Sequence, residues 1–105
     1  MSNQTKKESI GYILKGAMDS MVPANRIKDI AEIAFEVVPQ SSQIDNYATS
    51  NYALRISDEI GLSKDIAADI KSGVWWAFDN WTVEEAGEIC EKLINAMYPS
   101  LKKRL

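Results

Sequence analysis

Apolar side chains recur every three to four positions along most of the chain, and this repeat constrains the fold more than any other sequence feature. Such a repeat places apolar side chains on one face of an α-helix, whereas a half-buried β-strand needs alternation at every second residue. No long alternating stretch is present. The pattern therefore predicts an all-α protein, a compact bundle of four to five helices forming a single domain over residues 1–105.

Prolines, glycines and capping residues divide the repeat into separate helices. Proline disfavours helical geometry at the residue before it, so Pro23 and Pro39 are expected to end the first two helices, and Pro99 predicts a break near Tyr98. The five predicted helices are approximately Lys6–Val22, Ala24–Val38, Tyr47–Ile60, Lys64–Asn80 and a fifth that Thr82 opens.

Local signals refine this arrangement. Ser63 is a good N-cap for the fourth helix, and Thr82 with Glu85 matches the capping-box pattern at the start of the fifth. The second and fourth helices have the widest apolar arcs, which predicts that these two helices are central. Residues 40–45 are expected to form a loop, and residues 1–5 and 102–105 are expected to fray.

Composition sets the class of protein. A chain of 105 residues with 46% apolar residues can bury a core without metals or disulfides. The single cysteine, Cys90, fits a reducing cytoplasm, which is the expected location. The polar segment Met1–Glu8 predicts no signal peptide, and apolar runs of only a few residues predict no membrane span.

The sequence contains no histidine, which removes the commonest general base and the commonest metal ligand. Cys90 lies on the apolar stripe of its helix, as a core residue would. The glutamates of the fifth helix are spaced as a solvated outer face. We therefore expect no enzymatic activity, no cofactor and no metal.

The segment Ile56–Gly73 resembles a helix-turn-helix of the repressor type over 18 residues. The resemblance is carried by a small residue, a turn glycine, an apolar residue, a cap and two apolar positions on the second helix, here Ser57, Gly61, Leu62, Ser63, Ala67 and Ile70.

This resemblance implies a DNA-binding regulator in which the second helix enters a major groove. Ser63, Lys64 and Lys71 would contact DNA, and the basic residues 102–104 would add phosphate contacts. Serine stands at position 57 where alanine is usual, and Asp65 with Asp69 would face phosphates. The other interpretation of the segment is a helix corner of the kind found in many bundles.

The aromatic run Trp75–Trp81 is the second feature with functional content. Phe78 falls on the inner stripe of the fourth helix, whereas Trp76 lies about 160° away from it around the helix axis. Either another helix covers Trp76 or it is exposed as an anchor for a partner. Our leading hypothesis is a small interaction or regulatory protein that binds a protein partner, or a second copy of itself as a homodimer, through Trp76, Trp75 and Tyr12.

Overall fold

The computed structural model describes residues 4–40 and 45–105, and within these ranges it contains helices and no β-strand. The all-α fold predicted from the apolar repeat is confirmed. Residues 41–44 of the predicted loop and residues 1–3 of the segment predicted to fray lie outside the described residues. The elements are α1 (Gln4–Met18), α2 (Ala24–Val37), α3 (Asn46–Glu59), α4 (Lys64–Asn80), α5 (Val83–Met97) and a C-terminal 3₁₀ helix (Pro99–Arg104).

Side-chain caps begin α4 and α5 where the sequence predicts them. The Ser63 hydroxyl accepts a hydrogen bond from the backbone N–H of Ile66 at 3.2 Å. At the next helix, the Thr82 hydroxyl accepts from the Glu85 N–H at 3.1 Å, and the Glu85 carboxylate accepts from the Thr82 N–H at 2.8 Å. These bonds satisfy N–H groups that have no partner inside the helix. The first residues of α4 and α5 are therefore determined by neighbouring residues in the sequence.

The first helix ends earlier than its apolar stripe predicts, at Met18 rather than Val22. The Ser20 hydroxyl donates to the carbonyl oxygen of Gly16 at 2.7 Å, which satisfies one of the last helical carbonyls. Met21 then adopts a left-handed backbone conformation with φ 60°, and Val22 turns into the core. A local turn therefore ends the helix before Pro23 can.

The central helix is α1, and the prediction that the second and fourth helices are central is wrong. α1 packs against α2, α3, α4 and α5. Every residue from Ser9 to Leu14 is buried, so the middle of α1 is covered on all sides. The prediction failed because it ranked the helices by apolar side chains, and two of the contact positions on α1 are glycines.

Glycines bring the backbones of α1, α4 and α5 into direct contact. A Cβ atom on Gly11 would overlap the backbone carbonyl of Ala86 in α5. A Cβ atom on Gly73 of α4 would lie 2.8 Å from the Cα atom of Gly16. Both contacts require glycine because any side chain there would collide with backbone atoms rather than with a flexible side chain.

The C-terminal 3₁₀ helix closes the open end of the core. Leu101 is buried, and the Tyr98 hydroxyl donates to the carbonyl oxygen of Ala24 at 3.1 Å. The Arg104 guanidinium lies 5.8 Å from the centroid of the Phe35 ring, within the range of a cation–π contact. The segment 102–105, which the sequence predicts to fray, continues this helix to Arg104.

Candidate functional site

One face of α4 is exposed along the whole helix and carries Trp76 among acidic side chains. A helix advances about 100° per residue, so five positions fall within about 40° of one line along its surface. All five are exposed, and Trp76 keeps 51% of its surface accessible. We call these positions the outer stripe of α4: Asp65, Asp69, Ser72, Trp76 and Asp79.

Trp76 borders a groove between the outer stripe of α4 and the turn that follows α1. Met21 lies on the side of the groove opposite α4, with 93% of its surface exposed. The groove has a volume of about 530 Å³, within the range typical of ligand sites. We call it the Trp76 groove, and its lining residues are Asp19, Ser20, Met21, Asp69, Ser72, Gly73 and Trp76.

The close contact between Gly16 and Gly73 positions this groove. Because no side chain separates the two helices there, the end of α1 lies directly against the middle of α4. The turn after α1 therefore emerges beside Trp76. Trp76 and Met21 are 55 positions apart in the sequence and reach one groove only through this helix contact.

Met21 is a functional candidate that sequence analysis missed, because its spacing placed it on the apolar stripe of the first helix. A non-glycine residue in the left-handed region costs roughly 1–2 kcal/mol, so Met21 is held there by its surroundings. A usable signal was present in Asp19 and Ser20, two weak helix formers that favour turns.

The charges around the Trp76 groove are predominantly negative. Asp19 forms an ion pair with Lys15 at 3.1 Å. Asp69 and Asp79 form no ion pair with any residue in the two described ranges. The groove also lies at the C-terminal end of α1, where the helix dipole adds negative potential. A cation near Asp69 would therefore be attracted by a carboxylate and a helix end together.

Trp75 does not line the Trp76 groove. It is half-buried, and its ring meets the ring of Tyr47 edge to face with the centroids 5.1 Å apart. Tyr47 itself is 69% exposed, so this pair forms a separate aromatic surface between α3 and α4. The structure thus puts Trp75 and Trp76 on different sides of the same helix.

Tyr12 lies inside the protein and not on a surface with Trp76. Only 2% of its surface is exposed, and its ring stacks on Phe78 with the centroids 3.9 Å apart. Its hydroxyl donates to the carbonyl oxygen of Trp81 at 3.0 Å. Burial raises the pKa of Tyr12, and nearby glutamates raise it further. Tyr12 is therefore a packing residue between α1 and α4 in this chain.

The segment that resembles a helix-turn-helix has a tight left-handed turn at its centre. Gly61 has φ 77°, and the N–H of Leu62 donates to the carbonyl oxygen of Ser57 at 2.9 Å. Ser57 is buried and its hydroxyl donates to the carbonyl oxygen of Ala53 at 2.8 Å. Gly61 thus has the left-handed conformation expected of a turn glycine, and the partly buried Leu62 packs against the core.

The three residues expected to contact DNA do not lie on the outer stripe of α4. Lys64 and Lys71 are about 100–120° around the helix from it and border a second groove of about 340 Å³. The Ser63 hydroxyl is occupied by the helix cap. We call this second site the α3–α4 groove, and it is lined by Leu54, Asp58, Leu62, Lys64, Ala67, Ala68 and Lys71.

Two further features belong to the scaffold. Glu85 completes the capping box, and Glu91 forms an ion pair with Lys7 of α1, so the glutamates of α5 are partly structural.

Burial raises the pKa of Cys90 to about 12, which keeps it a thiol at neutral pH. The described residues contain no cluster of three or more potential metal ligands.

No helix in the described ranges combines the length and the apolar character that crossing a bilayer requires. Comparison of the chain with protein-family models, with curated proteins and with solved structures gave no match, so the two grooves themselves are the basis for assigning a function.

Proposed function

We propose that this protein acts by binding another protein through the Trp76 groove and has no catalytic activity of its own. One observation carries the proposal: Trp76 and Met21 are 51% and 93% exposed on the same groove. Tryptophan is enriched among residues that dominate binding energy, and methionine adapts its shape to a partner's surface. Single exposed apolar side chains are common on protein surfaces, whereas two large ones on the same groove are typical of an interaction site.

The backbone of Met21 supports the same role. Its left-handed conformation is costly, and the exposed side chain recovers little of that cost by packing within its own chain. Strained residues of this kind tend to occur at functional sites. Burial of Met21 by a partner would supply the missing apolar contact.

A small binding protein without catalytic groups suits a regulator or an inhibitor, and the single buried cysteine suits the reducing cytoplasm. The partner is either a different protein or a second copy of this chain, which would make a homodimer. Sedimentation velocity of the purified chain separates these two cases.

The proposal is tested by replacing Trp76 with alanine beside a control of matched exposure. Met97 is also 51% exposed but lies on α5, outside the Trp76 groove. Proteins captured by the tagged wild-type chain are identified by mass spectrometry and compared with those captured by Trp76→Ala and Met97→Ala. We expect Trp76→Ala alone to lose a specific partner while its circular dichroism spectrum is unchanged. Identical capture and sedimentation for all three proteins would contradict the proposal.

A second candidate function is DNA binding through α3 and α4. It is favoured by the left-handed turn at Gly61 and its bond from Leu62 to Ser57. Ser63, Lys64 and Lys71 would make the contacts, with the basic residues 102–104 on phosphates. A gel-shift titration at two salt concentrations tests it, since phosphate contacts weaken steeply with added salt. Absence of binding at low salt removes this candidate.

A further inference from the structure

The geometry points to a basic partner: we infer that the Trp76 groove binds a positively charged amphipathic helix of another protein, whose apolar face covers Trp76 and Met21. This inference rests on the proposed function and adds the chemistry of the partner. Three features carry it: the charges of the outer stripe, the end of α1 and the absence of a strand edge in the described ranges.

The outer stripe of α4 carries three carboxylates and no cation. Asp65 and Asp69 precede Trp76, and Asp79 follows it one turn later. The two lysines of α4 lie on another side of the helix, at the α3–α4 groove. Asp69 lines the Trp76 groove itself, so a partner that covers Trp76 places side chains beside this carboxylate, and a partner that extends along the outer stripe also meets Asp65 or Asp79. Lysine or arginine at those positions would be attracted, and aspartate or glutamate would be repelled.

The end of α1 strengthens this preference. Its C-terminal end is the negative end of the helix dipole, and the turn that follows it lines the groove on the side opposite Asp69. Asp19 lies on the same side of the groove, and its ion pair with Lys15 neutralises part of its negative charge. Both sides of the groove therefore contribute negative potential, Asp19 and the end of α1 on one side and Asp69 on the other. The apolar area of the groove comes from Met21 and Trp76.

A second copy of this chain is disfavoured on this face. In a two-fold dimer each surface meets itself, so the outer stripes would oppose each other with three carboxylates on each side. Such like-charge contacts are repulsive. A basic partner meets the same surface with opposite charge, which is why we commit to it rather than to a homodimer through the Trp76 groove.

The partner's segment is expected to be helical. The described ranges contain no β-strand, so the chain has no strand edge there that an extended peptide would lengthen. The Trp76 groove instead lies between α4 and the turn after α1, and its volume of about 530 Å³ has room for apolar side chains. An amphipathic helix fills such a groove with side chains spaced three and four residues apart.

The test uses a synthetic helical peptide of leucine and lysine, about 14 residues long with its leucines on one face, as a probe. A second peptide has glutamate in place of lysine. Binding is followed by NMR shifts in the ¹⁵N-labelled chain, read from the Trp76 indole N–H and from the backbone amides of Ser72 and Gly73, which also line the groove and remain in Trp76→Ala. Asp69→Lys is compared with Glu88→Lys, which makes the same charge change on the exposed face of α5.

We expect the leucine–lysine peptide to shift the Trp76 signal and the leucine–glutamate peptide to leave it unchanged. Asp69→Lys should weaken binding about tenfold and Glu88→Lys less than about twofold. Of these two carboxylates, Asp69 borders the groove and Glu88 does not. Binding should also weaken at high salt.

The other outcomes overturn the inference in distinguishable ways. Equal weakening by both charge reversals would mean attraction to the net charge of the chain. Loss of peptide binding in Trp76→Ala with no effect of Asp69→Lys would keep the proposed function and remove the basic partner. Self-association that Trp76→Ala abolishes, or a Trp76 shift caused by DNA rather than by the peptide, would replace the basic helix with a different occupant.

Discussion

Gly16 of α1 and Gly73 of α4 face each other with no side chain between them, and a Cβ atom on Gly73 would lie 2.8 Å from the Cα atom of Gly16. This contact seats the central helix against the helix that carries Trp76. It also brings the turn after α1 beside the outer stripe of α4. The packing of the core and the shape of the Trp76 groove therefore depend on the same pair of glycines.

Alanine at the contact glycines is expected to destabilise the protein. In Gly11→Ala the new Cβ would overlap backbone of α5, and in Gly73→Ala it would meet backbone of α1. Alanine favours a helix over glycine by about 1 kcal/mol, whereas forced overpacking costs about 1–3 kcal/mol and more against rigid backbone. We expect urea unfolding to show a net loss of about 2 kcal/mol for each, which is the upper end of the overpacking cost less the gain in helix propensity, because the colliding atoms are backbone.

Gly61→Ala is the comparison for these variants. A Cβ atom on Gly61 would have no neighbouring atom within 4 Å, but the φ of 77° penalises alanine by about 1 kcal/mol. This variant should therefore lose less stability than Gly11→Ala. Equal losses at the three glycines would contradict the role assigned to close helix contact.

Met21→Gly is expected to stabilise the fold while weakening partner binding. Glycine removes the cost of the left-handed conformation at φ 60°, and the lost side chain is almost entirely solvent-exposed. The gain should be about 0.5–1 kcal/mol after the greater entropy of glycine in the unfolded chain is deducted. Urea unfolding measures the gain. A destabilised Met21→Gly would mean that the methionine side chain supports the fold.

Tyr12→Phe should reduce stability by about 1 kcal/mol, because it removes the hydrogen bond to the Trp81 carbonyl and leaves that acceptor without its partner. Tyr47→Phe removes the same group from an exposed ring and should change stability by less than about 0.5 kcal/mol. Thermal unfolding of the two variants gives the comparison. Equal effects would show that the buried hydroxyl contributes nothing specific.

Stability should fall above pH 9 partly because of Cys90. Burial raises its pKa from 9.0 to about 12, so between these values the unfolded chain releases a proton that the folded chain retains. This contribution is present in full below pH 9 and is lost as the pH rises toward 12. At about pH 10 it should lower stability by about 1 kcal/mol relative to about pH 8.

The matched variant for this effect is Cys90→Ala, which removes the thiol but keeps a small apolar side chain. Its stability should fall less over the same rise in pH than that of the wild type. The burial of Tyr12 and Tyr98 raises their pKa values in the same direction and is common to both proteins. Equal pH dependence in the two proteins would contradict a retained proton on Cys90.

Local spacing along the chain was enough to predict the helices and the points at which two of them begin. Ser63, Thr82 and Glu85 cap their helices through bonds to residues three positions away, so each cap is complete within one short segment. Spacing also placed Trp76 about 160° from Phe78 around the helix, but only the structure decided that no other helix in the described ranges covers it.

Packing between distant segments, in contrast, selected the central helix and the surroundings of Trp76. Gly11 and Gly16 add nothing to an apolar pattern, yet their lack of a side chain lets α1 pack directly against two other helices. Tyr12 stacks inward on Phe78, and Met21 is turned outward by a local backbone conformation. These outcomes depend on contacts between residues far apart in the sequence and on one unusual dihedral angle, neither of which helical periodicity contains.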